Sequence, residues 1–296
     1  MVESGRCFCS NGVMMNQSPV ETALSRAMIR WSLTKSTPVA ETPHSWIFKV
    51  EQNGRSQAAL KILKPLVAEE EGRGVRLLQW YEGDGAATVF DVHGDVIFME
   101  WLDGVTLGEP ARNGRDTEAI QALAGVVASL HRPRGDIPEG LQPLRQRFAA
   151  LFEADMRAWP HTARDLYARA TGIALKLFDK PMAAVPLHGD LHHDNILSSD
   201  RGWLAIDPKG LIGDPHYELA NAFRNPHGAL KLASDPKRIS AMADIFAARL
   251  GLNRKRLLGF AAAHSGLSAC WDLAAGNSIT TDLAVLPHLL SAYDQA

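Results

Sequence analysis

The sequence predicts an α+β protein of two lobes, a small β-rich N-terminal lobe followed by a larger, mainly helical one. Three observations carry this. Asn53-Gly54 sits between two alternating, β-like runs spanning residues 44–64. Residues 86–102 (AATVFDVHGDVIFMEWL) alternate again around His93-Gly94-Asp95. Beyond Leu102, apolar residues recur almost everywhere with the period of a helix.

Taken in order, residues 1–17 read as a loose extension, within which Met14 and Met15 are alternative translation starts. Residues 18–34 set Val20, Leu24, Ala27, Met28 and Trp31 at helical spacing behind a Ser-Pro start. Strands follow near 45–51 and 56–63. Pro65 to Trp80 predicts an acidic-fronted helix with Val75, Leu77, Leu78 and Trp80 toward the core, and the second hairpin comes next. The segments 116–132, 141–158, 160–179, most of 216–231, 235–250, 253–276 and 280–293 are helical in period, interrupted by short β runs at 196–198 and 203–206. The expected division is therefore 18–102 and 103–296, joined near Glu100 to Gly104, and a cleft at such a junction is a common place for a small-molecule site.

With 31 basic and 33 acidic residues the net charge is -2, which exerts no general pull on nucleic acid or an anionic membrane. Neither is an expected partner. Cys7, Cys9 and Cys270 are too few and scattered for a disulfide framework, which suits a cytoplasmic protein. No run approaches the roughly 18 to 20 apolar residues needed to cross a bilayer, and the first fifteen residues lack both the basic start and the apolar stretch of a secretory signal.

The densest chemistry lies in Leu187-His188-Gly189-Asp190-Leu191-His192-His193-Asp194-Asn195-Ile196-Leu197. Three His and two Asp could form a zinc cage, but catalytic zinc sites usually draw a ligand from another element, and His216, His227 and His264 lie in no recognisable partner motif. A polar loop satisfying its own buried backbone is the plainer alternative. A third reading uses more of the chain. His188-x-Asp190-x-x-x-x-Asn195 is followed by Ile206-Asp207 at the end of an apolar run, and Ala58-Ala59-Leu60-Lys61-Ile62 lies far upstream on a strand. Phosphoryl transfer wants this set: a carboxylate at the acceptor hydroxyl, an amide oxygen and a second carboxylate on magnesium, and a lysine on the nucleotide phosphates. Glu69, Glu70 and Glu71 open the next helix as possible partners of Lys61, with Glu71 preferred.

On these motifs the chain resembles the aminoglycoside phosphotransferases of the protein-kinase-like fold, and most of all their streptomycin 6-kinase and hydroxyurea-resistance kinase branch. LKILKP at 60–65, MEWLDGVTLGE at 99–109 and LHGDLHHDNILSSDRGWLAIDPKGLIGDPHYELAN at 187–221 carry the resemblance. It implies ATP as co-substrate with Mg2+, Asp190 as the catalytic residue, Asn195 and Asp207 as metal ligands, and Lys61 with Glu71 at the nucleotide. Met99 to Leu102 would be the hinge, with the backbone of Glu100 and Leu102 toward adenine. Residues 42–50 (TPHSWIFKV) lack the Gly-x-Gly-x-x-Gly of protein kinases, so the phosphate-covering turn must be built differently, with Ser45 as a candidate contact. Asp214 or Glu218 is expected to pin the loop through backbone hydrogen bonds.

The implied partner is a small hydroxylated molecule, cationic if an aminoglycoside. His193, Asp194, Trp271 and Asp272 are the candidates for touching it, with Asp155 and Asp282 as further acids on helices that could face the cleft. A metabolic kinase acting on a sugar or amino-alcohol and a silent nucleotide-binding pseudokinase are the alternatives within the fold.

Overall fold

A computed structural model describes residues 18–53, 55–65 and 68–296. The expected extension over 1–17, with Cys7, Cys9, Met14 and Met15, lies outside these residues, as does Gly54 of the expected turn.

The chain opens on α1 (Pro19–Arg30). Ser18 caps it by accepting from the Glu21 N–H while Glu21 accepts from the Ser18 N–H, a reciprocal capping box with Pro19 at the first helical position. A five-stranded antiparallel sheet follows, built from β1 (Leu33–Glu41), β2 (Ser45–Gln52), β3 (Arg55–Leu63), β4 (Val89–His93) and β5 (Val96–Glu100) in the order β1-β2-β3-β5-β4. Helix α2 (Ala68–Tyr81) lies between β3 and β4. The two-residue period of β3 separates its sides. Ala58, Leu60 and Ile62 join Ala27 and Trp31 in a core under α1, whereas Ala59 and Lys61 line a cleft on the other face.

Strand β1 is a correction, since no strand was expected between the first helix and Ser45. Only Leu33 in it is buried, and Pro38 interrupts it. An exposed edge strand needs no apolar alternation and tolerates proline, so its sequence carries little strand signal.

The helical lobe comprises α3 (Gly108–Arg112), α4 (Asp116–Leu130), α5 (Leu144–Arg147), α6 (Ala149–Glu153), α7 (Arg164–Asp179), α8 (Leu230–Ala233), α9 (Pro236–Leu250), α10 (Arg254–Ala274) and α11 (Thr280–Asp294). Every residue of α10 from Leu257 to Cys270 is buried, which marks it as the central helix of this lobe. Short strands frame the site: β6 (Gln142–Pro143), β7 (Val185–Leu187) and β10 (Leu211–Gly213) form one small sheet, and β8 (Ile196–Ser199) pairs with β9 (Gly202–Ala205). Among the described residues no helix is long and apolar enough to cross a membrane.

Two expected helices are broken. Within 141–158, Gln142–Pro143 is drawn into a parallel ladder with β10, leaving the short α5 and α6 and a 3-10 turn at Met156–Ala158. Within 216–231 there are 3-10 turns at Pro215–Tyr217 and Ala220–Arg224 and the one-turn α8. Pro226 lacks the N–H a helix needs, and Gly228 takes a left-handed φ of 75°.

The lobes also touch beyond the hinge. A Cβ at Gly74 would come within 1.9 Å of the Pro208 carbonyl oxygen, and one at Gly210 within 2.5 Å of the Arg73 carbonyl carbon. Helix α2 is thus seated backbone against backbone on the loop after β9.

Candidate active site

Lys61 on β3 reaches two carboxylates from different parts of the chain. Its Nζ lies 2.6 Å from Glu71 Oε2 on α2 and 2.5 Å from Asp207 Oδ1 at the end of β9. Among the three expected acids, Glu71 therefore holds the lysine. Glu70 turns instead to Arg147 at 3.2 Å, and the Glu69 side chain lies outside the described residues. Burial would lower the Lys61 ammonium, but the Asp207 and Glu71 carboxylates hold it above its usual range. Burial would likewise raise the Asp207 carboxyl, yet Lys61 and Lys209 bring it down to about 2. Asp207 also adopts a φ of 61°, a left-handed conformation uncommon outside glycine and frequently found where geometry serves a site.

Asp190 and Asn195 meet across the loop between β7 and β8. Asn195 Nδ2 donates to the Asp190 carbonyl at 2.9 Å and more weakly to its Oδ2 at 3.4 Å, while Asn221 Nδ2 donates to Asp190 Oδ1 at 2.8 Å. Because the Asn195 nitrogen is committed to a carbonyl, its amide oxygen is the end left to face the cleft. The loop is held from behind. Glu218 accepts from the backbone N–H groups of His188 and Gly189 at 2.9 and 3.0 Å and lies 3.0 Å from His131 Nε2. His188, fully buried, lies 2.8 Å from the Ile206 carbonyl through Nε2, and its Nδ1 accepts from the Asp190 N–H at 3.3 Å. Gly189 has a φ of 81°, and a Cβ there would meet the Leu211 side chain at 2.5 Å, so the small residue of His-Gly-Asp is required by backbone and packing together.

Between the lobes is a cavity of about 350 Å³ whose lining includes Lys61, Glu71, Asn195 and Asp207. Ile47 and Ala59 line it from the sheet, Leu197 and Ile206 from the helical lobe, and Glu100 to Leu102 close its edge. The Glu100 carboxylate points away from that edge, accepting from Arg201 at 2.5 Å and from the Thr88 N–H at 2.9 Å. The turn over the charged end is Thr42 to Ser45, folded around the Thr42 hydroxyl, which accepts from the N–H groups of His44 and Ser45 at 3.2 and 2.9 Å. Ser45 is buried, 3.2 Å from that hydroxyl, and lines the cavity.

The four candidates for touching the acceptor fare differently. His193 is fully buried, with neither ring nitrogen hydrogen-bonded among the described residues, and burial pushes its imidazole down to about 3. It faces the interior of the lobe and is withdrawn as a substrate residue. Asp194 is partly exposed and committed to partners within the protein. Its carboxylate is taken by Arg112 at 3.0 Å, Thr106 at 3.2 Å and the His227 N–H at 2.9 Å. Trp271 is half-buried, with the Arg147 guanidinium 4.6 Å from its ring centroid and His264 edge-on at 6.1 Å. Asp272, also half-buried, carries among the described residues a single weak side-chain bond, from Asn277 at 3.5 Å. Of the further acids, Asp155 caps a surface 3-10 turn and pairs with Arg157, and Asp282 is buried in a two-pronged bond with Arg224.

Two polar residues that no motif had marked join this geometry. Lys209 lies 3.2 Å from Glu71 Oε1 and 3.7 Å from Asp207 Oδ2, and Asn221 holds Asp190. A lysine two positions after a metal-type carboxylate, and an amide three positions after the loop-pinning Glu218, were the available signals.

The profile of the family described as aminoglycoside/hydroxyurea antibiotic resistance kinase matches residues 30–276. The chain belongs to that family. This kinase is 40% identical over 254 residues to a streptomycin 3''-kinase of Klebsiella pneumoniae, covering 84% of the chain and 92% of the relative. It is 30% identical over 262 residues to a streptomycin 6-kinase of Streptomyces griseus, covering 86% and 83%. Its fold resembles that of a thermostable mutant of aminoglycoside phosphotransferase APH(4)-Ia, solved as a ternary complex with ADP and hygromycin B, at a TM-score of 0.64 and 15% identity over 92% of this chain and 98% of that one. It is an alcohol-directed phosphotransferase of the protein-kinase-like fold.

Proposed function

We propose that this kinase moves the γ-phosphate of ATP to a hydroxyl of streptomycin, inactivating the antibiotic in the cytoplasm. The observation that carries the reading is that Asn195, bonded to Asp190, shares one cleft with Lys61 and Asp207. The relatives' names supply the acceptor, and the higher identity favours the 3'' position over the 6 position.

In this reading residues 18–102 form the nucleotide-binding lobe, and residues 103–296 form the lobe that carries the catalytic loop and the acceptor site and closes the nucleotide cleft from the other side. The adenine ring lies between Ile47 and Ala59 on one side and Leu197 and Ile206 on the other, against the backbone of Glu100 and Leu102. Lys61, held by Glu71, neutralises the phosphates, and Ser45 in the Thr42 turn lies over them. Asn195 and Asp207 would hold Mg2+. One amide and one carboxylate oxygen suit an ion that keeps several waters and takes one or two protein carboxylates. Among the described residues no cluster of three His, Cys, Asp or Glu offers a fuller metal cage. When bound, the ion supplies charge neutralisation along the phosphates.

Asp190 accepts a hydrogen bond from the attacking hydroxyl and orients its oxygen toward the γ-phosphate. Asn221 and Asn195 fix the carboxylate for that task, and such positioning supplies most of the catalysis in a loose phosphoryl transition state. Trp271 and Asp272 form the acceptor side. The test is mass spectrometry of streptomycin, kanamycin, choline and a sugar panel incubated with protein, ATP and Mg2+. A gain of one phosphate on streptomycin, mapped by NMR to the 3'' carbon, is expected. Transfer to choline or a sugar alone would assign a metabolic kinase, and MgADP binding without transfer to any acceptor a pseudokinase.

A further inference from the structure

Glu71 divides its two oxygens between two lysines. Lys61 takes Oε2 at 2.6 Å and Lys209 takes Oε1 at 3.2 Å, with Lys209 also 3.7 Å from Asp207 Oδ2. His44 Nδ1 stands 3.7 Å from Oε1 and adds charge only when protonated. Both partners of the Glu71–Lys209 pair are buried, their side chains 4% and 10% exposed. The backbone of Lys209 is tied down as well, its N–H donating to the His188 carbonyl at 2.7 Å. The flanking Pro208 and Gly210 are the residues against which Arg73 and Gly74 of α2 are seated.

The cluster therefore balances: carboxylates on Glu71 and Asp207, ammonium groups on Lys61 and Lys209. A metal-bound nucleotide upsets that balance, because the phosphates compete for Lys61 and the metal for Asp207. Glu71 cannot follow, and a buried carboxylate without a cation is costly. Lys209 alone in the group is free of both demands. We infer that Lys209 is a positioning residue of the nucleotide site: by keeping Glu71 neutralised from the far side, it lets Lys61 turn its charge to the phosphates. The inference rests on the proposed nucleotide role of Lys61 and Asp207.

The experiment measures MgADP affinity by calorimetry, and KM for ATP and for streptomycin, in the full chain and in Lys209→Met and Lys209→Arg. Lys209→Met is expected to raise the MgADP Kd and the ATP KM by about tenfold, with the streptomycin KM unchanged. Lys209→Arg, which keeps the charge, is expected to recover most of the loss. Unaltered MgADP affinity in Lys209→Met overturns the inference, as does a parallel rise in both KM values that arginine does not rescue. Should Lys209→Met not fold, Glu71→Gln/Lys209→Met is compared with Glu71→Gln alone, since no unpaired charge is then left buried. Equal MgADP affinities support the inference and a further tenfold loss overturns it. The two readings fail separately: wild-type protein that binds MgADP but phosphorylates no acceptor refutes streptomycin transfer, while Lys209 is still decided by MgADP affinity.

Discussion

Asn221 donates its side-chain amide to Asp190 Oδ1 at 2.8 Å from 31 residues away, and is itself held by Asn225, whose Nδ2 lies 3.2 Å from its Oδ1. The carboxylate is thus fixed on the side opposite Asn195. Replacing Asn221 by alanine leaves the charge of Asp190 intact and releases its orientation. Misplacement of a reacting group by about 1 Å can cost roughly 100-fold. Asn221→Ala should lower kcat by about 10- to 100-fold with MgADP affinity unchanged, read by steady-state assay and calorimetry.

Asp190 and Asp207 divide the labour differently. Asp190→Ala should reduce transfer by roughly 10² to 10⁴-fold while nucleotide still binds. Asp207→Ala should weaken MgADP binding as well, because it removes both the oxygen proposed for the metal and a partner of Lys61. Full activity in the Asp190 variant would overturn its assignment.

Gly189→Ala tests why the loop reads His-Gly-Asp. The substitution meets two penalties, a left-handed backbone and a clash with Leu211. The backbone term alone is about 1 to 2 kcal/mol. A fall in Tm of several degrees, together with lost transfer, is expected in thermal melts and assays. A variant with wild-type Tm and rate contradicts the packing argument.

His193 makes stability depend on pH. Its folded value of about 3 lies below the ordinary 6.5, so as the pH falls the unfolded chain takes up that proton first. The stability contributed by the neutral ring is therefore complete above 6.5 and is lost progressively as the pH drops toward 3, with a slope of up to about 1.4 kcal/mol per pH unit. His193→Leu should flatten that part of the Tm-against-pH curve. It should cost little at pH 7, since a buried ring without hydrogen bonds is exchanged for an apolar side chain. An unchanged slope in the variant is the contrary result.

What the sequence conveyed depended on whether the signal was local. Asp190, Asn195 and Asp207 fall within one short stretch, and the residue types they offer, an acid, an amide and a second acid, already describe a phosphoryl-transfer site. Lys61 was legible because the strand around it alternates. The choice of Glu71 over Glu70 was set by the rotation of α2 against β3, which a run of three acids does not reveal. Strand β1 escaped because exposed edges need no pattern. Three neighbouring histidines look alike in sequence, yet His188 braces the Asp190 backbone, His192 caps the turn after it, and His193 is sealed inside the lobe. Asn221 and Lys209 are single polar residues in segments whose texture suggested a helix or a loop, and only the fold brings them to Asp190 and Glu71.

The backbone apposition of Gly74 with Pro208 and of Gly210 with Arg73 has a pharmacological consequence. An inhibitor that depends on an outward swing of α2, and on the extra pocket such a swing opens, has first to part this helix from the loop after β9. A compound that competes within the slot between Ala59 and Leu197 leaves that seat undisturbed, and its selectivity then comes from the slot's own walls.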